Sequence, residues 1–169
     1  MNTKYVIIIC LGLIISSCHV KVGQSSSEVI SNEIERIDRS DASILKGVFV
    51  PKGKDSFFTS GIVADLIDQK ASVGDNLRYG NTYQQSISIL SKIEKILSEA
   101  HFEMQDVVFL RVYLAPDRDG NIDWQAWFDA YGEYFQTENN PNKVARSTVA
   151  VYALANPDLL IEIEAVAFK

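Results

Sequence analysis

Along this chain the spacing of apolar residues changes repeatedly, and each change marks the edge of an element. Residues 34–37 and 43–50 are short strand-like runs closed by Pro51-Lys52-Gly53-Lys54-Asp55, a cluster of turn formers. Residues 56–63 resume the extended pattern with Phe57 and Phe58 on opposite faces, so a hairpin is expected across that turn. Gly61 within this run signals a bulge, or a close approach of ligand or backbone. Residues 64–80 show no period and read as a loop. Asn81 then supplies a helix N-cap, and Tyr83, Ile87, Leu90, Ile93, Leu97 and Ala100 follow at helical spacing. The spacing predicts an amphipathic helix over 82–100, covering one face of a sheet. Residues 107–114 are almost wholly apolar, which predicts a central strand buried on both faces.

A charged, turn-forming segment over 116–121 precedes Trp124, Trp127, Phe128, Tyr131 and Phe135, which share one face of a second helix. This aromatic stripe reads as core packing in preference to a ligand box. Asn139-Asn140-Pro141-Asn142 ends the helix, and strands over 145–153 and 160–168, separated by Asn156-Pro157-Asp158, are expected to pair. The fold class that results is α+β, a mixed sheet with both helices on one side.

The first residues obey a different logic. Lys4 is the only charged side chain before Cys18, residues 6–15 are apolar, and Ile15-Ser16-Ser17-Cys18 closes the run with small residues before a cysteine. The apolar run is shorter than the roughly 18 residues that cross a bilayer as a helix. Its pattern resembles a bacterial lipobox, which implies a signal peptide over 1–17 and lipid on Cys18, the alternative being an ordinary secretory signal. Residues 18–33 then read as the lipidated cysteine and a flexible, Ser-rich tether, with one domain over 34–169. The expected location is the cell envelope. His19 stands where an aspartate would mark retention, which by resemblance to sorting in diderm bacteria points to the outer membrane. Cys10 leaves with the signal and Cys18 carries lipid, so the domain has no thiol for catalysis, metal binding or a disulfide.

Composition narrows the chemistry. The net charge is −6 and the charges are scattered, so the cationic footprint of a nucleic-acid-binding protein is missing. His19 and His101 are the two histidines, which leaves no His-containing nucleophilic triad and no His/Cys metal cluster. Neither a GxGxxG motif nor a P-loop is present. What remains is polar residues on strands. Alternation puts Arg146 and Thr148 on one face of their strand and Glu162 and Glu164 on one face of the last. If those two strands pair, an arginine and a carboxylate can line one cleft. A solvated salt bridge on an exposed strand face fits the same spacing.

At these residues the sequence resembles the RidA/YjgF family of reactive-intermediate deaminases, also called endoribonuclease L-PSP. The matching stretches are Phe58-Thr59-Ser60-Gly61, Asp106-Val107-Val108 into Arg111-Val112-Tyr113-Leu114, Pro141-Asn142-Lys143-Val144-Ala145-Arg146-Ser147-Thr148-Val149, and Leu160-Ile161-Glu162-Ile163-Glu164-Ala165-Val166-Ala167. The resemblance implies a chorismate-mutase-like fold, a homotrimer with ligand clefts between subunits, and hydrolysis of 2-imino or enamino acids to 2-oxo acids and ammonia without a cofactor or metal. It assigns Arg146 to the substrate carboxylate and Glu162 to the water and proton transfer. Thr148, the Gly61 N–H and Ser60 are further candidates for substrate contacts. Three positions depart from the family pattern. A Gly-Pro-Tyr-Ser-Gln segment becomes Ile44-Leu45-Lys46-Gly47-Val48, a cysteine becomes Thr148, and a helical asparagine is replaced near Phe128. Besides the hydrolase, the pattern admits a non-catalytic module that binds a small carboxylate. Acidic charge disfavours the RNA cleavage suggested by the family's older name.

Overall fold

The computed structural model describes residues 31–75 and 78–169; the expected signal segment 1–17, Cys18 and the expected tether up to residue 30 lie outside the described residues. In chain order the elements are β1 (Glu35–Ile37), β2 (Gly47–Phe49), β3 (Ser56–Phe58), β4 (Ile62–Val63), α1 (Thr82–Glu99), β5 (Val107–Leu114), α2 (Trp124–Gly132), β6 (Ala145–Ala150) and β7 (Ile161–Phe168). Strands β3, β7, β5 and β6 lie side by side in that order, β4 also pairs with β7, and β1 and β2 form a separate ribbon. Strands β5 and β6 run parallel, while β7 is antiparallel to β3, β4 and β5. A parallel pair needs a crossover connection, and α2 is that connection.

Alternation then decides what is buried. Leu110, Val112 and Leu114 of β5 and Ile161, Ile163, Ala165 and Ala167 of β7 form one cluster with Ile89, Leu90, Ile93 and Leu97 of α1 and with Trp127 and Tyr131 of α2. Both helices therefore cover the same face, in the α+β arrangement expected. The other face of β5 carries Phe109 and Tyr113, half-buried, and Arg111, exposed, so β5 is central but not buried on both faces.

Helix α1 is defined at both ends by backbone chemistry. The Asn81 side chain accepts the Gln84 N–H at 3.0 Å while the Gln84 side chain accepts the Asn81 N–H at 3.0 Å, a reciprocal capping box. At the other end His101 has φ of 62°, and the N–H groups of His101 and Phe102 return to the carbonyls of Ser98 and Leu97 at 3.0 and 2.8 Å. This is a Schellman closure with a histidine where glycine is usual. The buried face of α1 differs from the one the apolar spacing predicts. Tyr83 is exposed and Ile87 half-buried, whereas Gln85 and Ser86 are fully buried. Gln85 is accommodated because its amide donates to the carbonyls of Gly80 and Asp158 at 3.0 Å each and accepts the Leu160 N–H at 2.8 Å. One side chain thus ties the start of α1 to the approach to β7.

Two expected pairings do not form. Strand β2 pairs with β1, and β3 pairs with β7, so residues 51–55 join two separate sheets and are not a hairpin turn. Strands β6 and β7 do not touch edge to edge, because β5 lies between them. Gly61 does sit at a bulge. Phe58 opposes Val166 and Ile62 opposes Ile163, so four steps on one strand meet three on the other. Thr59 pins the irregularity, its N–H donating to the Ala165 carbonyl at 3.0 Å and its hydroxyl accepting the Ala165 N–H at 2.9 Å.

Replacing Gln85 by leucine keeps the apolar volume but strands Gly80 O, Asp158 O and the Leu160 N–H. Urea unfolding should show a loss of about 2–4 kcal/mol at nearly constant m-value; a loss below about 0.5 kcal/mol would mean that these bonds do not hold α1 to the sheet.

Candidate functional site

Arg146 is the second residue of β6 and lies opposite Leu110 of β5, so it projects to the face that the helices cover. There it meets the aromatic residues of α2. Its Cζ lies 4.4 Å from the Tyr131 ring centre, 5.2 Å from that of Phe128 and 5.4 Å from that of Trp127. The Tyr131 hydroxyl is itself anchored, donating to the Ser43 carbonyl at 3.1 Å. Burial pulls the Arg146 pKa below its ordinary value, and the neighbouring Tyr131 phenol acts in the opposite sense. The group remains a cation at any physiological pH.

Three rings compensate only part of what the guanidinium gives up on leaving water, about 2 kcal/mol for a desolvated cation–π contact. Among the described residues no carboxylate pairs with the guanidinium. Arg146 Nη1 is buried without a hydrogen-bond partner, and so is the hydroxyl of Thr148, which shares its face two residues further along β6. Buried polar groups are normally paired, and an unpaired buried cationic N–H is expensive. The arrangement leaves two buried donors on one face of β6 with the chemistry to meet an oxygen-bearing anion.

Glu162 belongs to the opposite face. It pairs across β7 with Val63 of β4 and Tyr113 of β5, in line with the half-exposed side of the sheet. Its carboxylate packs over the backbone of Gly61, where a methyl group would overlap Oε1. This close approach explains the glycine at the bulge, and Ser60 beside it is exposed. Among the described residues no hydrogen bond or ion pair ties down the Glu162 carboxylate. Glu164, next on the same face, is occupied by an ion pair with Arg111 and by the Tyr113 hydroxyl, which donates to it at 3.3 Å. Of the two glutamates, Glu162 is the one whose carboxylate has no such tie among the described residues.

The candidate residues therefore fall into two groups, two candidate half-sites. Arg146 and Thr148 lie on the helix side of β6; Ser60, Gly61 and Glu162 lie on the far side of β7, with β5 between. A single copy does not bring Arg146 and Glu162 into one cleft, because the two strands are not neighbours and their side chains leave the sheet in opposite directions. Segment 44–48 lies beside the start of β6, the Leu45 N–H donating to the Val144 carbonyl at 3.0 Å. The part played by Trp127 and Tyr131 around Arg146 does not emerge from apolar spacing, which assigns the whole stripe to the core. The signal is present in the order of elements: a helix that links two parallel strands packs on one face of both. Among the described residues no group of three or more His, Cys, Asp or Glu is arranged to hold a metal ion.

Comparison with known proteins bears on this site. The sequence model of the family described as Endoribonuclease L-PSP matches residues 53–169, a span that contains both half-sites. A RutC family protein of Pyrococcus horikoshii is 38% identical over 90 residues, 53% of this chain; the match spans 64% of the relative, less than two thirds of its length. The 3-aminoacrylate deaminase RutC of Acinetobacter baylyi is 35% identical over 121 residues, covering 70% of this chain and 85% of the relative. Among solved structures, a protein of unknown function of the conserved Rid protein family from Yersinia pestis superposes with a TM-score of 0.60 at 25% identity, over 81% of this chain and 98% of that one. A protein of unknown function from Pseudomonas aeruginosa shares the fold at 24% identity with a TM-score of 0.52, over 80% of this chain and 92% of that one.

The contact between Gly61 and Glu162 makes a double-mutant test possible. Gly61→Ala alone should cost roughly 1–3 kcal/mol of stability through the clash, and most of that cost should vanish when Glu162→Ala removes the obstructing carboxylate. Additive effects in thermal unfolding would mean that the backbone, and not Glu162, demands glycine here.

Proposed function

The chain belongs to the Endoribonuclease L-PSP family, the RidA/YjgF proteins, whose relatives include a deaminase, and from that premise we propose that it hydrolyses 2-imino or enamino acids to 2-oxo acids and ammonia, without a cofactor. The observation that carries this reading is the buried, unpaired guanidinium N–H of Arg146 beside the unpaired Thr148 hydroxyl. A substrate carboxylate satisfies both. The planar guanidinium takes its two oxygens in a fixed orientation, which turns the adjoining C=N carbon toward a defined direction of attack.

Water then adds to that carbon, its proton passing through Glu162 to the nitrogen. Collapse of the carbinolamine expels ammonia as the C=O bond forms. General acid-base help of this kind contributes about 10²–10⁴ in rate. The Gly61 N–H and Ser60, on the Glu162 side, serve to hold the water or the oxygen that becomes the carbonyl. Because the two half-sites leave one copy on opposite faces, the reading requires a second copy to set its β7 against β6 of the first. The homotrimer implied by the family resemblance satisfies that requirement in a closed ring. A non-catalytic carboxylate-binding protein rests on the same unpaired donors, and it differs in having no use for Glu162. The net charge of −6 gives no support to RNA as the substrate.

The test is turnover of 2-iminopropanoate released by an amino-acid oxidase, with the full chain and two variants. Arg146→Ala should abolish both turnover and pyruvate binding; Glu162→Gln should lower kcat by about 10²–10⁴ while pyruvate still binds. Each variant alone should fall to about a hundredth of wild-type activity or below, but co-assembled in equal amounts they should recover about a quarter of it, since one cleft in four then joins an intact Arg146 to an intact Glu162. Wild-type turnover in Glu162→Gln would remove Glu162 from the reaction, pyruvate binding with no turnover by the unaltered chain would leave only the binding reading, and no recovery on mixing would remove the shared cleft.

The signal pattern over 1–17 and Cys18 supports placing this activity in the cell envelope on a lipid anchor. Cys18→Ser should shift the protein from the membrane to the soluble fraction and abolish its labelling by a fatty-acid probe; unchanged partition and no labelling of the wild type would withdraw the anchor.

A further inference from the structure

Four aromatic residues line the first part of α2, and they divide into two pairs. Trp127 and Tyr131 keep 0% and 2% of their surface exposed, whereas Trp124 and Phe128 keep 38% and 40%. Trp124 and Phe128 are four residues apart, so they sit one above the other on one flank of the helix. Phe128 is also one of the rings around Arg146. An uncovered apolar strip thus begins at the guanidinium and runs for one helical turn, about 5.4 Å, away from it.

Cation and strip constrain a ligand together. A carboxylate seated on Arg146 places the atoms attached to its α-carbon beside Phe128. A three-carbon ligand satisfies the charge but does not reach along the two rings, which a single copy leaves uncovered. A ligand with a branched or aromatic side chain satisfies the charge and covers the rings as well, and it leaves the charged contact in a drier setting where it is stronger. We infer that the ligands of this site are 2-imino and 2-oxo acids with large apolar side chains, of the leucine or phenylalanine type, and that Phe128 and Trp124 are the residues that select them. This inference rests on the reading of Arg146 as a carboxylate site, and it adds the identity of the group attached to that carboxylate.

Stable 2-oxo acids separate the two claims. Calorimetric titration of the full chain with pyruvate, 4-methyl-2-oxopentanoate and phenylpyruvate should show the two larger acids binding at least about tenfold more tightly than pyruvate. Phe128→Ala should reduce that ratio to within about twofold, and Trp124→Ala, a change at a more peripheral position, should reduce it in part. Equal or tighter binding of pyruvate, abolished by Arg146→Ala, would overturn the side-chain preference and leave the carboxylate site intact. A preference that persists in both aromatic variants would overturn the assignment to α2. Failure of all three acids to bind would take down the carboxylate reading and this inference with it.

Discussion

Two strands that run side by side in the same direction cannot be joined by a tight turn, and β5 and β6 are such a pair. The chain must leave the end of β5, cross one face of the sheet and return, and α2 is the path it takes. That constraint fixes most of the geometry around Arg146. It puts the aromatic stripe of α2 against the side of β6 from which Arg146 and Thr148 project. It also leaves β6 at the edge of the sheet, so that the arginine sits where the covered face meets the outside. Strand β7 enters on the other side of β5 and contributes its apolar residues to the same core while turning Glu162 away from it.

The electrostatics of Arg146 derive from this placement. A guanidinium with one N–H among three rings has exchanged water for π-faces, which are poor hydrogen-bond acceptors and carry no net charge. Arg36, also pulled down in pKa by burial, makes the contrast plain. Its two terminal nitrogens donate to the carbonyls of Lys143 and Gln105 at 2.9 and 2.8 Å, so its role is spent on joining β1 to the rest of the molecule. The same side chain is a structural tie where its donors are used and is open to a ligand where they are not.

Much of this is legible in the pattern of residues, and the failures share a cause. The limits of α1 and β5 are readable because periodicity and capping are local properties, and Asn81 announces the helix after it. Strand partners are not local. Nothing in residues 51–55 reveals that β3 joins β7 and not β2, and nothing in the alternation of β6 and β7 says which of their faces coincide. Alternation correctly groups Arg146 with Thr148, since that comparison stays within one strand. It cannot relate Arg146 to Glu162, since that depends on the register of both against β5. The buried side of α1 escapes the pattern for a different reason. Gln85 looks like a surface residue until its three partners, from Gly80, Asp158 and Leu160, are brought to it by the fold.

The bulge at residues 59–61 sets the parity of everything after it on that strand. Phe57 lies opposite Ala167 on the covered side, and an uninterrupted count would turn Ile62 outward; the extra residue restores Ile62 to the side of Ile163. Gain or loss of a single codon there would exchange inside for outside along β4 and pull the backbone from beneath Glu162. A few residues downstream the situation reverses. The 64–80 segment joins the close of β4 to the Asn81 cap, and among its described residues, 64–75 and 78–80, no ladder counts the length. The gene is thus free to grow in one place and held to a strict reading in another, and a change of length in that loop is the kind of change the architecture leaves open to drift.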